Sequence, residues 1–194
     1  MSEDMGSRQV ITIAVTGPES TGKTRLAQEL AQSLGVEWVA EYARAYLNDF
    51  DRPYVREDLE PIGRGQAEAI ALGKSRALRA CPPPQPPLLV LDTDWTVLHV
   101  WEAYRFGTEL PVPYWQRGYG RIEVAGLYLL CYPDIRWEPD PLREHPEERM
   151  ILFGEYEALL RAYQAPYYVV RGQGDARVRG ALAEITKRGL ATSI

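Results

Sequence analysis

The chain has 194 residues, enough for one α/β unit with a sizeable core. Its formal net charge is −5, so the basic footprint that a duplex nucleic-acid partner usually leaves is missing overall. The cysteines (Cys81, Cys131) and histidines (His99, His145) have no metal or redox spacing, and no apolar run is long enough to span a bilayer. Met1 to Ser7 is short and polar, unlike a secretory leader, so the expectation is a soluble, cytoplasmic protein with no membrane or nucleic-acid partner.

Gln9 to Val15 (QVITIAV) is a β-branched run suited to a buried parallel strand. It leads into Gly17-Pro18-Glu19-Ser20-Thr21-Gly22-Lys23-Thr24, which fits the phosphate-binding loop pattern. Such a loop aims backbone N–H groups at phosphate oxygens, and side chains at its glycines would block the approach. The next helix adds its positive N-terminal end. The pattern therefore assigns Gly17, Glu19, Ser20, Thr21, Gly22, Lys23 and Thr24 to the phosphates of ATP. Lys23 reaches the β- and γ-phosphates and Thr24 holds Mg²⁺ through its hydroxyl. Arg25 to Leu34 then carries apolar residues at helical spacing, and Gly35 stops it.

Glu37 to Ala40 reads as a second strand. It puts Glu41 at a strand's C-terminal end, where open α/β sheets keep their ligands. Asn48 to Pro53 is a turn cluster. Glu57 to Arg79 is helical in composition, with a weak point at Gly63-Arg64-Gly65. Pro82 to Pro87 (PPPQPP) is either a stiff surface connection or a ligand for a partner protein. Leu88 to Leu91 is a third strand that runs into Asp92-Thr93-Asp94. An apolar strand ending in Asp, downstream of a phosphate loop, is the expected second contact to Mg²⁺, direct or through water.

Trp95 to Tyr104 is helical, with His99 a packed residue, whereas Phe106 to Arg121 has no regular assignment. Leu127 to Cys131 is a fourth strand, with Cys131 a small core residue. Asp134 to Pro146 is charged and broken by prolines, and a helix follows over 147–162. This suggests a lid at about 134–149, with Arg136, Arg143 and Arg149 placing positive charge on a migrating phosphoryl group. The alternative is a salt-bridged helix start, because acidic residues are interleaved. Tyr167 to Val170 is a fifth strand, and Asp175 to Lys187 a last helix with Asp175 as its N-cap. Strands alternate with helices throughout, so the expectation is a parallel sheet with right-handed crossovers in a single domain over 1–194.

Several separated pieces resemble the ribosylnicotinamide kinase domain of NadR-type proteins. They are the phosphate loop, Trp38 to Arg44 (WVAEYAR), Leu91-Asp92-Thr93-Asp94, Trp137 to Arg143 (WEPDPLR), and Gly172 to Arg177. The resemblance implies a P-loop kinase fold: three α/β/α layers around a five-stranded parallel sheet in the order 2-3-1-4-5, with a lid. It implies transfer of the γ-phosphate of ATP to the 5′-hydroxyl of nicotinamide riboside. It makes Glu41 or Asp92 the general base, Glu41 preferred; the other reading of Glu41 is a helix-start residue paired with Arg44. It places Arg143 and Arg149 on the transferring phosphate, and Gly172 and Arg177 near the adenine. Tyr42, Arg44, Asp94, Trp95, Trp137 and Asp140 join Glu41 around the nucleoside; Asp94 can instead be an N-cap, and the aromatics can instead be core. Pro141 and Gly126 depart from the family pattern.

Two rival readings remain: a kinase for another nucleoside or small alcohol, and an ATP-dependent module that transfers nothing. A guanine-specific switch is excluded in its usual form. Asn48 is the only asparagine and is followed by Asp49, so an Asn-Lys-x-Asp element is impossible.

Overall fold

Runs of alternately directed apolar side chains, joined by amphipathic helices, build one parallel sheet covered on both faces. The structure is a computed structural model and describes residues 8–50, 52–107, 112–138 and 147–191. In chain order the elements are β1 (Ile11–Thr16), α1 (Lys23–Leu34), β2 (Glu37–Val39), α2 (Tyr42–Asn48), α3 (Leu59–Ala80), β3 (Leu88–Asp92), α4 (Trp95–Phe106), α5 (Tyr114–Tyr119), β4 (Leu127–Cys131), α6 (Arg149–Ala162), β5 (Tyr167–Val170) and α7 (Gly174–Lys187). A single 3₁₀ turn, Arg56–Asp58, leads into α3.

The strand order is β2-β3-β1-β4-β5 and every pairing is parallel. Side chains alternate between two cores, as strand geometry requires. From β1 and β4, Ile13, Val15, Leu127, Leu129 and Cys131 pack with Leu26, Leu30, Ala181 and Ile185, that is, under α1 and α7. Ala14, Tyr128 and Leu130 face the other way, toward Ile62, Trp95, Leu98 and Leu160 of α3, α4 and α6. The three-layer arrangement and the strand order agree with the resemblance.

The registers place the site. Val15 pairs with Asp92, Val39 with Leu91, and Thr16 with Leu130. The chain therefore leaves β1 into the phosphate loop, β2 into Glu41, and β3 into Asp92 at one edge of the sheet.

Several local expectations need correction. α3 runs unbroken through Gly63 and Gly65. These glycines mark crossings, where a Cβ at Gly65 would collide with the ring of Tyr42 and one at Gly63 with the carbonyl of Trp115. Close packing offsets the roughly 1 kcal/mol of helix propensity that each glycine costs. The stretch without an assignment contains α5, whose Trp115 is buried and stacks on Trp95 at 5.8 Å. Asp175 is not the cap of α7: Gln173 holds that position, and Asp175 lies in the first turn, where its charge still complements the helix dipole. α1 begins at Lys23, inside the motif. Among the described residues, no helix is long and apolar enough to cross a membrane.

Candidate active site

The loop between β1 and α1 is curled by its own carbonyls. Thr21 Oγ1 and Lys23 Nζ both donate to the Pro18 carbonyl, at 2.8 and 2.9 Å. Gly17 has φ +129°, and a Cβ there would lie 2.9 Å from the Cys131 carbonyl, so the close pass of the loop over β4 needs glycine. Ser20 takes a left-handed φ of 53°, and its hydroxyl accepts from the Glu138 N–H at 2.9 Å. The loop, Glu41, Arg44, Trp101, Ile135 and Glu138 line a cleft of about 330 Å³.

Two carboxylates belong to this edge. Glu41 precedes α2 but makes no side-chain capping bond. Burial raises its pKa above the ordinary carboxylate value, and the charges of Asp92 and Glu19 add to that; Lys23 and Arg44 oppose it. Asp92 is buried beneath the cleft, and its pKa is raised by burial against the opposing Thr24 hydrogen bond and the Lys23 and Arg44 charges. The next residue, Thr93, sits at φ 72°, a strained conformation for a β-branched residue, and is held by its N–H bond to Val15 O at 3.0 Å. Asp92 Oδ1 is buried with no hydrogen-bond partner among the described residues. A buried, unpaired carboxylate oxygen beside a threonine hydroxyl is a donor set that suits Mg²⁺. That ion takes hard oxygen ligands and completes its shell with waters and phosphate oxygens. Thr24 and Asp92 are therefore the residues that would hold it.

Arg149, the first residue of α6, donates from Nη1 to Ser20 O at 3.3 Å and to Ile135 O at 3.0 Å, and lies 5.7 Å from the Trp137 ring centroid. It thus touches the phosphate loop directly. Arg143 and Asp140 lie outside the described residues, as does the middle half of the lid segment, 139–146.

Other expected ligands have different partners. Asp94 does cap α4: Oδ1 accepts from Thr96 N at 2.9 Å and Thr96 Oγ1 at 2.7 Å, while Oδ2 accepts from Tyr128 at 2.8 Å. Its carboxylate is buried and both oxygens are used, which removes it from the nucleoside set. Trp95 is fully buried among Trp115, His99 and Tyr163, so it belongs to the core. Tyr42 lays its ring on Gly65 of α3, and its N–H donates to Gln66 Oε1 at 2.8 Å. Gly172 donates its N–H to Asp134 Oδ2 at 2.8 Å. Arg177 is buried behind the loop with both terminal nitrogens on protein oxygens, so it is not available to an adenine.

The sequence reading missed an aromatic wall. Trp101 lines the cleft and also a narrow side pocket with Glu19, Tyr54, Tyr104, Arg105 and Tyr156. Tyr54 packs against Trp101 at 5.8 Å and carries the Arg105 guanidinium 4.1 Å from its ring centroid. Two buried acids hold the residues on either side of Tyr54. Asp58 accepts both terminal nitrogens of Arg52 (2.7 and 2.8 Å), and Glu102 pairs with Arg56 at 3.5 Å. The only signal in the sequence was the concentration of aromatics in 95–104, which fits a core helix equally well.

A glycine loop between a central parallel strand and a helix, with an Asp at the tip of the neighbouring strand, defines a P-loop nucleotide-binding protein. The family model described as an AAA domain matches residues 12–177, and the chain belongs to that family. No curated protein matches the sequence. Among solved structures the chain is similar to a NadR protein in complex with NR (24% identity, TM-score 0.72, 92% of this chain and 51% of that one). It is similar to a NadR protein in complex with NAD and AMP-PNP (21%, TM-score 0.66, 92% and 49%). It also resembles deoxyadenosine kinase from M. mycoides (14%, TM-score 0.63, 91% and 100%). The chain spans about half the length of the NadR chains it matches. These likenesses establish the fold that the NadR and nucleoside-kinase structures share.

Proposed function

We propose that the protein transfers the γ-phosphoryl group of ATP to the 5′-hydroxyl of nicotinamide riboside, giving nicotinamide mononucleotide and ADP. The observation that carries this reading is the placement of Glu41, with its raised pKa, in the same cleft as Lys23 and the phosphate loop. A carboxylate poised above its ordinary pKa is suited to accept a proton from an alcohol. Here the hydroxyl proton goes to Glu41 as its oxygen attacks the γ-phosphorus and the bond to the β-phosphate oxygen breaks. The loop amides and Lys23 bear the charge on the phosphate oxygens, and Arg149 is placed beside Ser20 to add to them. Mg²⁺, held by Thr24 and Asp92, would supply further charge neutralisation on the phosphates. The segment 134–149 acts as the lid that excludes water.

The nicotinamide riboside ring is cationic. Trp101 lines the cleft together with Glu19 and Glu41, and Tyr54 lines the adjoining side pocket with Trp101 and Glu19; aromatic faces beside carboxylates favour a cation over a neutral base. These residues replace Tyr42 and Trp95 in the acceptor pocket. The test is kcat/KM for nicotinamide riboside, adenosine, deoxyadenosine and thymidine with ATP and Mg²⁺. Nicotinamide riboside is expected to lead. A lead for deoxyadenosine would overturn the acceptor while keeping the kinase, and ATP hydrolysis indifferent to every nucleoside would overturn both.

A further inference from the structure

Arg177 lies 5% exposed in the first half of α7, yet its contacts come from four other places in the chain. Nη1 donates to Asp134 Oδ1 at 2.9 Å and to the Gly172 carbonyl at 2.8 Å. Nη2 donates to the Thr21 carbonyl at 3.0 Å and to the Tyr132 carbonyl at 3.1 Å. Asp134 in turn accepts the Gly172 N–H, and its carbonyl accepts from Gln173 Nε2 at 3.3 Å. One guanidinium thus joins the phosphate loop, the end of β4, the start of the lid segment and the β5–α7 turn.

The bond to Thr21 has a consequence for the cleft. In a trans peptide the C=O and the N–H point to opposite sides. Holding the Thr21 carbonyl behind the loop turns the Gly22 N–H toward the cleft that Gly22 lines. An unheld peptide plane could rotate and offer a carbonyl to a polyphosphate, which repels it. A guanidinium suits this task because it stays charged and presents donors in a rigid fork, which a lysine ammonium cannot span. Its Nε is buried with no hydrogen-bond partner among the described residues, a cost the position bears while keeping the fork.

We propose that Arg177 is a positioning residue for the nucleotide: it holds the Thr21–Gly22 peptide in the triphosphate-accepting orientation and ties that orientation to Asp134 and the β5–α7 turn. This rests on the phosphate-loop reading above, which it deepens. The affinity then comes partly from preorganisation, since the loop is ordered before the ligand arrives.

The test compares the full-length wild type with Arg177→Lys and Asp134→Asn. The readouts are the Kd for AMP-PNP with Mg²⁺ by calorimetry, the melting temperature, and kcat and KM for ATP and acceptor. Loss of charged hydrogen bonds to the loop is expected to raise the AMP-PNP Kd and the ATP KM of Arg177→Lys by about tenfold or more. The acceptor KM should stay within about twofold, because the defect lies on the nucleotide side of the cleft, and any fall in saturating kcat should be smaller than the rise in the ATP KM. Asp134→Asn should shift the same constants in the same direction by a smaller factor. A wild-type Kd in Arg177→Lys, or a fall in kcat with unchanged ATP KM, overturns the proposal, since a merely structural role reduces the active fraction and leaves affinity alone. Should Arg177→Lys fail to fold, an unchanged Kd in Asp134→Asn overturns it. Failure of the wild type to bind AMP-PNP would contradict the phosphate-loop reading instead.

Discussion

Lys23 and Glu41 make different demands on the same cleft, and their removal has different signatures. Lys23→Ala is expected to lower phosphoryl transfer by at least about a hundredfold, as loss of a charge on the transferring group does, with an unchanged far-ultraviolet circular dichroism spectrum. Retained turnover would remove Lys23 from the chemistry. Glu41→Gln is expected to lower kcat by about 10²- to 10⁴-fold and, assayed by thermal melting at neutral pH, to stabilise the protein. The sign follows from the raised pKa. A carboxyl whose folded pKa exceeds its unfolded one holds its proton more tightly when folded. Its contribution is most favourable below the unfolded pKa and is lost as pH rises through the folded one. At neutral pH the desolvated charge on the half-buried Glu41 is a cost that glutamine removes. By the same logic kcat should rise with pH through a value above the usual carboxylate range, and Glu41→Gln should abolish that limb. A lower melting point in Glu41→Gln would contradict the assigned desolvation. The phosphate loop and Glu41 were legible from the sequence because a local pattern and a strand end place them. For Asp94 and Trp95 the sequence left two readings open: Thr96 makes Asp94 the cap, but the partners that take its other oxygen and bury Trp95, Tyr128 and Trp115, are distant in sequence.

Elements meet in this fold through particular small contacts. α3 passes so close to α2 that the Tyr42 ring covers Gly65. Gly65→Ala is expected to cost about 1–3 kcal/mol by overpacking, read as a lower urea midpoint; an unchanged midpoint would mean that α2 can shift freely. The segment before α3 depends on Asp58, whose pKa is lowered chiefly by the Arg52 fork, helped by the Val55 N–H and Tyr46, against the opposing effect of burial. A depressed carboxylate pKa contributes stability above the unfolded pKa, and that stability is lost as pH falls through the folded one. Asp58→Asn should therefore flatten the acid side of the stability–pH curve and weaken hydrogen-exchange protection near Tyr54. An acid limb identical to wild type would contradict the role of the fork. From sequence, 48–53 reads as a turn cluster, although Asn48 ends α2; that Tyr54 lines the side pocket beside Trp101 was not readable, because the Arg56–Glu102 pair and the Tyr54–Trp101 contact join residues distant in sequence. The weak point read into α3 was a correct reading of glycine propensity, overridden by tertiary packing.

Over the whole molecule, registers decide function. Three strand ends, those of β1, β2 and β3, bring Gly17, Glu41 and Asp92 to one edge because Val15 pairs with Asp92 and Val39 with Leu91. The alternation of strands and helices made the parallel sheet readable; the strand order came from the family resemblance, since local patterns do not encode which strands are neighbours. The catalytic reading requires that this edge bring a nucleotide and an alcohol together and pass a phosphoryl group between them. The most direct measurement is the fate of γ-labelled ATP incubated with the protein, Mg²⁺ and nicotinamide riboside, followed by mass spectrometry. The account predicts the label in nicotinamide mononucleotide, in step with ADP formation and absent with Lys23→Ala. Label recovered only as inorganic phosphate, at a rate that ignores nicotinamide riboside, would contradict it.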